Sequence, residues 1–161
     1  MASESGWVWR ADPRPPGPAV VVDIDGVVSD ATHRQHLVTG GRHHWEEFFE
    51  ACGQDPLIEE TARLIELMAP ELLVVLLTGR PLSVRAATLD WLGRMQLRWD
   101  LLAMRDVGDY AASRSFKARS VGELRAAGFE LRLALDDDMR NCEMFRLEGV
   151  PCVYLHSGYY G

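Results

Sequence analysis

Lysine is almost absent from this sequence. Its 161 residues include 17 lysines and arginines together, and Lys117 is the only lysine among them. Cysteine is also scarce: Cys52, Cys142 and Cys152 make three, and no two of them have CxxC spacing. An odd number of cysteines without that spacing argues against a disulfide framework and against a zinc site. We therefore expect free thiols in a reducing compartment, the cytoplasm.

Long apolar runs are missing as well. No stretch approaches the roughly 20 apolar residues that a membrane-spanning helix needs, so we expect no membrane contact. The first residues lack a basic region followed by an apolar region, which is the pattern of a signal peptide. The formal net charge of −7 gives no support to broad adhesion to polyanions, and it fits a site that binds cations. No GxxxxGK[ST] motif occurs, which excludes a P-loop kinase half.

The first 18 residues differ in composition from the rest of the chain. Prolines and a glycine oppose regular structure there: Pro13, Pro15, Pro16, Gly17 and Pro18. We expect residues 1–18 to form a lead-in that Trp7 and Trp9 hold against the domain surface. Residues 19–161 have the length and composition of one ordinary globular domain.

Strands and helices alternate along this domain. The hydrophobic patterns predict five buried strands, at 19–24, 72–77, 100–104, 131–135 and 150–155. They predict helices at 43–52, 57–69, 82–94, 117–127 and 139–148. Such alternation is typical of right-handed crossovers and of a mainly parallel sheet.

Polar residues follow each predicted strand. The carboxyl ends of parallel strands meet at one edge, where α/β proteins bind ligands. That edge should collect Asp23 and Asp25; Thr78, Gly79 and Arg80; Arg105 and Asp106; Asp136, Asp137 and Asp138; His156 and Ser157. Crowded carboxylates repel each other, and a hard divalent cation relieves the repulsion. All-oxygen ligands favour Mg2+ over zinc, so the sequence predicts a magnesium site.

Phosphate-binding groups are expected at the same edge. Thr78 offers a hydroxyl, Gly79 a backbone N–H near a helix start, and Lys117 a positive charge. A metal site, phosphate-binding groups and an aspartate nucleophile together predict phosphoryl transfer.

Four motifs resemble those of the haloacid dehalogenase (HAD) superfamily. DIDGV at 23–27 resembles its first motif, TGR at 78–80 its second, Lys117 its third and LALDDD at 133–138 its fourth. The motifs occur in order and at strand ends, from about residue 19 to 157. The resemblance implies a HAD-like Rossmannoid three-layer α/β fold with a mainly parallel sheet of about five strands. It implies a minimal cap or none, because only residues 29–55 remain for one.

The resemblance also implies a Mg2+-dependent phosphatase that forms an aspartyl phosphate. Asp23 is the expected nucleophile. Asp25 is the expected general acid and base, with a pKa raised by burial and by neighbouring carboxylates. The residues expected to bind phosphate are Thr78, Gly79 and Lys117. The expected metal ligands are Asp23, the backbone carbonyl of Asp25, and Asp137, with Asp136 as the alternative or supporting acid.

A closer resemblance is to the 3′-phosphatase domain of phage-type polynucleotide kinase-phosphatase. That family has a segment MxxRxxGDxR before its lysine, and Met104, Arg105, Gly108 and Asp109 fall in that order here. The YAAS at 110–113 departs from the pattern. The resemblance implies a DNA or RNA 3′ end as substrate and a separate kinase or ligase as a potential partner. The candidate substrate-binding residues are His33, Arg34, Arg80 and Arg105.

Two other functions stay open at this point. A phosphatase for nucleotides or other small phosphate esters would use the same core residues. A nucleic-acid-end binding module that has lost turnover is the other alternative, although a pure binder has no need for the acid Asp25. Trp45, Phe48 and Phe49 are interpreted as core aromatics in preference to a base-stacking platform.

Overall fold

One six-stranded sheet organises the structure, a computed structural model that describes residues 6–160. Its strands are β1 (Trp7–Trp9), β2 (Pro18–Val22), β3 (Leu73–Pro81), β4 (Leu101–Arg105), β5 (Glu130–Asp136) and β6 (Cys152–Tyr154). Their order across the sheet is β1-β4-β3-β2-β5-β6. β1 runs antiparallel to β4, and all the other pairings are parallel.

Five α-helices connect these strands. They are α1 (Trp45–Glu50), α2 (Glu59–Glu66), α3 (Arg85–Met95), α4 (Ser113–Ala126) and α5 (Met139–Leu147). Short 3₁₀ helices occur at Thr32–Leu37, Ala51–Gln54 and Leu82–Val84. Within residues 6–160, none of the helices has the length and apolar character needed to cross a membrane.

The central strand β2 shows how the layers arise. Ala19 and Val21 pack in one apolar cluster, which also contains residues of α4 and α5. Val20 and Val22 point the other way, into a second cluster that contains residues of α2 and α3. Both faces of the sheet are therefore covered, which explains the unbroken apolar sequence of this strand. The predicted three-layer α/β fold is confirmed.

The amino-terminal segment differs from the prediction. The sequence indicated no regular structure before residue 19, but β1 adds an antiparallel sixth strand to the sheet. Trp9 stacks on Phe129 at a centroid distance of 6.1 Å, and Trp7 meets the same ring edge-on. The two tryptophans hold this segment on the domain, as predicted. The strand itself was missed because three residues are too few to show a hydrophobic period.

The segment 29–55 lies where a cap would be inserted. It contains two of the 3₁₀ helices and α1, and it is joined to the domain through Ser29, which bridges to Asp25 and to Leu57. A segment of this size leaves no room for a large lid. At the carboxyl edge of the sheet, the side chains of Asp23 and Asp25 keep 11% and 21% of their surface exposed.

Candidate active site

Adjacent strands bring the acidic residues together. Asp23 directly follows β2, and its backbone N–H donates to the carbonyl of Leu135 at 3.0 Å, one residue before Asp136. Carboxylate oxygens of Asp23, Asp136 and Asp137 all lie within 4.8 Å of one another. We call these three residues the acidic cluster. The prediction that strand ends collect these side chains at one edge is confirmed.

Lys117 supplies a positive charge inside the acidic cluster. Helix α4 begins four residues earlier than predicted and places Lys117 in its second turn. The Lys117 Nζ lies 2.6 Å from Asp136 Oδ2 and 3.2 Å from Asp23 Oδ1. Burial alone would lower the pKa of the ammonium, but the charges of Asp136 and Asp23 outweigh burial and raise it. Lys117 is therefore held charged beside the expected nucleophile.

The two acids at the end of β5 have different surroundings. Both oxygens of Asp136 accept hydrogen bonds, from Lys117, from the Asn141 amide and from the backbone N–H of Asp138. Asp137 Oδ2 accepts a bond of 2.6 Å from the Ser157 hydroxyl. Asp137 Oδ1 is buried and has no hydrogen-bond partner in the part of the chain that the structure describes. Asp137 therefore keeps a buried oxygen without a hydrogen-bond partner among the described residues, beside the Asp23 carboxylate.

The electrostatics of the acidic cluster favour a bound cation. Burial raises the pKa of Asp23 well above its usual value, and Asp136 and Asp137 raise it further against the effect of Lys117. Burial also raises the pKa of Asp137 to about 6. Three carboxylates face one ammonium, and a buried oxygen lacks a partner. A hard divalent cation such as Mg2+ fits this set of oxygen donors.

The backbone conformation and surroundings of Gly26 explain why the DIDG motif needs a glycine at this position. Its φ is +81°, a backbone conformation that glycine adopts without strain. A Cβ atom at this position would lie 2.1 Å from Asp137 Oδ2 and 3.0 Å from the Ser157 Cβ. Any side chain would thus displace the carboxylate that has the free oxygen.

Asp25 lies in a cage of arginines. Its Oδ1 accepts from Arg34 Nη2 at 2.6 Å and from Arg80 Nη2 at 2.7 Å and Nε at 3.1 Å. Burial raises the pKa of Asp25, but the charges of Arg80 and Arg34 oppose it more strongly, so the pKa is lowered. The predicted upward shift was wrong, because the sequence does not show that two arginines converge on this carboxylate.

Asp55 is a site residue that sequence reasoning missed. It lies in the loop before α2, and its buried carboxylate accepts from Ser29 Oγ at 2.6 Å and from Arg34 at 2.9 and 2.7 Å. Arg80 Nη2 lies 3.4 Å from the same group, and His33 Nε2 lies 2.7 Å from it. The sequence shows an isolated aspartate before a proline, which is no signal for such a position.

The candidate substrate-binding residues have unequal access to solvent. Arg34 and Arg80 are 1% and 0% exposed, and they face carboxylates. The His33 side chain is 40% exposed. The prediction that these three contact substrate stays a prediction, and the burial of the two arginines speaks for a supporting role.

Arg105 lies beside the expected phosphate-binding residues. Its Nη2 is 3.9 Å from the position that a Cβ of Gly79 would occupy. Nη1 donates to the carbonyl of Ala111 at 2.9 Å, and the guanidinium lies over the Phe116 ring at 4.8 Å. Arg105 thus has a donor nitrogen close to Gly79.

Thr78 and Gly79 reach this edge through β3. The register pairs Val22 of β2 with Leu76 of β3, so Thr78 is level with the residues that follow Asp23. Thr78 is buried, and its hydroxyl accepts from the backbone N–H of Arg80 at 3.1 Å, which leaves its own proton free to donate.

The aromatic residues of α1 match the core interpretation only in part. Phe48 is buried and packs under the guanidinium of Arg34 at 4.3 Å. Trp45 is 49% exposed and stacks on Phe49 at 6.0 Å. Assigning Trp45 to the core was wrong, because a six-residue helix at the surface leaves its first residue uncovered.

Solved structures share this arrangement of strands and helices. A class C acid phosphatase from Bacillus anthracis with tungstate bound has a TM-score of 0.62 and 13% identity, over 93% of this chain and 70% of that chain. A haloacid dehalogenase-like family protein, SP0104 from Streptococcus pneumoniae, has a TM-score of 0.60 and 10% identity, covering 88% of this chain and 87% of that chain. The fold is therefore that of the HAD-like phosphatases.

A family model assigns the chain more narrowly than the fold does. The chain belongs to the family described as polynucleotide kinase PNKP phosphatase domain, whose model matches residues 17–160. A chain in the structure of the Pnkp1/Rnl/Hen1 complex has a TM-score of 0.73 and 29% identity, covering 91% of this chain and 48% of that chain. A chain of the Pnkp1/Rnl/Hen1 RNA repair complex has a TM-score of 0.72 and 27% identity, covering 94% of this chain and 46% of that chain. This chain thus spans about half the length of those two, and no curated protein sequence gives a significant match.

Proposed function

We propose that this protein is a Mg2+-dependent phosphatase that removes 3′-phosphate from DNA or RNA ends through an aspartyl phosphate on Asp23. The acidic cluster carries the proposal: a buried aspartate at a strand end faces Lys117 and an acid with a free buried oxygen. Membership of the polynucleotide kinase phosphatase family supports the substrate class.

The residues that would hold Mg2+ follow from their hydrogen bonds. Asp23 and the free Oδ1 of Asp137 would be the carboxylate ligands. The resemblance to the haloacid dehalogenase superfamily adds the backbone carbonyl of Asp25 as a further ligand. Asp136, whose oxygens are already bonded to Lys117 and Asn141, has the supporting role. When bound, the ion neutralises charge on the transferring phosphoryl group and on the carboxylates around it.

Asp23 is the nucleophile of the first step. Its Oδ1 accepts from the backbone N–H of Ile24 at 2.8 Å and lies beside Lys117, which fixes the carboxylate and leaves Oδ2 for attack. A bond forms between the carboxylate oxygen and phosphorus while the bond from phosphorus to the 3′ oxygen breaks. Thr78, Gly79 and Lys117 hold the phosphate oxygens, and one such donor is worth roughly 3–4 kcal/mol.

Asp25 moves the protons in both steps. The dianionic phosphate adds negative charge beside Asp25 and thereby raises its affinity for a proton. The protonated acid then donates to the leaving 3′ oxygen. In the second step the carboxylate takes a proton from the water that attacks phosphorus, and inorganic phosphate leaves while Asp23 is restored.

An open edge suits a phosphate at the end of a long chain. The 29–55 segment contains only three short helices, which is too little for a large lid, and Arg105 lies beside Gly79, where it would bind a nucleotide. One of the two similar structures is an RNA repair complex, which supports a separate kinase or ligase as partner of this protein. We propose that it acts on nucleic-acid ends in the cytoplasm.

The test is phosphate release from a 3′-phosphorylated oligonucleotide, with Mg2+ and with EDTA. Asp23→Asn is the inactive variant. Asp90→Asn is the matched control, since Asp90 is an exposed aspartate paired with Arg94 on α3. Release that needs both the metal and Asp23 is the expected result. A 5′-phosphorylated strand, nucleoside monophosphates and p-nitrophenyl phosphate serve as alternative substrates. Turnover of these small esters alone would refute the nucleic-acid substrate and leave the phosphatase.

A further inference from the structure

The last described residues turn back onto the candidate active site. The Ser157 hydroxyl donates to Asp137 Oδ2 at 2.6 Å, and the backbone N–H of Tyr159 donates to the same Ser157 oxygen at 3.2 Å. Gly158 lies between them with a φ of +85°, which glycine adopts without strain and which closes the turn. We call residues 157–160 the terminal strap.

The terminal strap has a second anchor in the segment 29–55. The hydroxyl of Tyr159 accepts from the backbone N–H of Ala31 at 2.8 Å and donates to Asp30 Oδ1 at 3.2 Å. The first anchor, Asp137, belongs to the acidic cluster. The strap is therefore fixed on both sides, which restricts the positions that its last residue can take.

Tyr160 is that last residue, and its ring lies close to the acidic cluster. The guanidinium of Arg140 lies over the ring, 5.6 Å from its centroid, and Arg140 is held by Asp138 at 2.9 Å. Burial raises the pKa of the Tyr160 hydroxyl, and the charges of Asp137 and Asp23 raise it further. Tyr160 nevertheless keeps 47% of its surface exposed. Its ring thus offers a flat apolar surface beside the expected nucleophile.

Two other aromatic residues are exposed within residues 6–160, and their surroundings differ. Tyr110 is 92% exposed, so little holds its ring in place. Trp45 is 49% exposed and packs on Phe49 in α1. Tyr160 combines exposure with a fixed backbone and a guanidinium over its ring. A side chain that is already held loses less conformational entropy when a ligand packs on it.

We propose that Tyr160 is a specificity-determining residue on which the base of the 3′-terminal nucleotide stacks. One sugar joins this base to the phosphate that reaches Asp23, so a ring beside the acidic cluster is within reach of the base. Stacking on an aromatic ring accepts every base, because each base has a π-face. Arg140, whose side chain is 64% exposed, adds a positive charge near the strand. This inference rests on the proposed function, since it needs a nucleic-acid end as substrate.

The test compares two oligonucleotides that both end in a 3′-phosphate. One has a normal terminal nucleotide, and in the other the terminal nucleotide lacks its base. In Tyr160→Ala, KM for the normal end should rise by about 5- to 100-fold, which is the usual contribution of one stacked base. Its kcat should be kept, because stacking acts on substrate and transition state alike. KM for the abasic end should stay unchanged.

Two variants and the wild type serve as comparisons. Tyr160→Phe keeps the ring and should behave as wild type. Trp45→Ala is the matched control, since Trp45 is exposed to the same extent, and it should leave both KM values unchanged. Wild type itself should bind the normal end more tightly than the abasic end by the factor that Tyr160→Ala loses. This comparison needs no variant, so it decides the proposal even if Tyr160→Ala does not fold.

Three results would overturn the proposal. The first is an equal change in KM for normal and abasic ends in Tyr160→Ala. The second is faster turnover of both ends in that variant, which would show that the ring obstructs the site. The third is a loss specific to the normal end in Trp45→Ala and absent from Tyr160→Ala, which would assign stacking to α1.

Glycerol 2-phosphate, which has neither base nor strand, separates this proposal from the proposed function. Wild-type turnover of this ester without turnover of either oligonucleotide would refute the nucleic-acid substrate, and the stacking proposal with it. Turnover of both oligonucleotides with equal KM would refute the stacking at Tyr160 alone and leave the 3′-phosphatase.

Discussion

Replacing Lys117 by methionine tests the charge balance of the acidic cluster. The variant keeps the length of the side chain and removes the ammonium that lies between Asp23 and Asp136. With an effective dielectric constant of about 20, a separation of 3.2 Å corresponds to about 5 kcal/mol of attraction to Asp23. Breaking a buried ion pair costs about 3–5 kcal/mol, so the metal-free variant should be less stable by that amount.

The same substitution should increase the affinity for Mg2+. The three carboxylates then lack their ammonium, so a divalent cation gains more on binding. We expect affinity to rise about tenfold, which is 1.4 kcal/mol. Thermal unfolding of wild type and variant is measured above pH 7, in EDTA and in saturating Mg2+. The rise in Tm on adding Mg2+ should be larger in the variant.

Activity should respond in the opposite direction. Lys117 is an expected phosphate-binding residue, so kcat/KM should fall by about 10²- to 10³-fold although the metal binds more tightly. Lys117→Arg, which keeps the charge, is the comparison. A smaller Mg2+ effect on Tm in Lys117→Met than in wild type, or an unchanged stability in EDTA, would refute the electrostatic argument.

Three further predictions concern the surroundings of Asp137. The pKa of Asp137 is raised to about 6, so its protonated form is favoured in the folded protein. Metal-free wild type, compared with Asp137→Asn, should therefore lose stability as pH rises from about 4 to 6, by up to about 3 kcal/mol. Urea unfolding across that range measures the loss, and a gain in stability would contradict the prediction. Gly26→Ala should abolish turnover and weaken Mg2+ binding, because the new Cβ would lie 2.1 Å from Asp137 Oδ2. The control is Gly53→Ala, whose new Cβ would meet no atom within 4 Å. An active Gly26→Ala variant would contradict this geometry. Ser157→Ala should raise the Mg2+ concentration needed for half-maximal activity by about tenfold, and an unchanged value would exclude a role for its bond to Asp137.

The fold was predictable because it depends on patterns that repeat locally. The buried strands have unbroken apolar runs, and the helices between them have an apolar face, so the layers follow from the alternation. The antiparallel β1 was not predictable, since Trp7–Trp9 is too short to show a period. Its place is decided by the packing of Trp9 and Trp7 against Phe129, more than a hundred residues away.

The site was predictable where it depends on strand ends. Asp23 follows β2 and Asp136 ends β5, so the parallel pairing of these strands is enough to bring them together. The pKa of Asp25 was not predictable, because the shift depends on Arg34 and Arg80 approaching from separate elements. Asp55 was missed for the same reason: its position in the site depends on hydrogen bonds and ion pairs with four residues distant in sequence.

The sequence by itself determined which residues stand at the carboxyl edge of the sheet. Parallel strands joined by right-handed crossovers have their carboxyl ends at one edge, and that rule carries Asp23, Thr78 and Asp137 to one place. Only the tertiary structure decided which oxygen stays free and which carboxylate is held by arginines. Those outcomes depend on side-chain directions and on distances of a few tenths of an ångström, which arise when separate elements pack against each other.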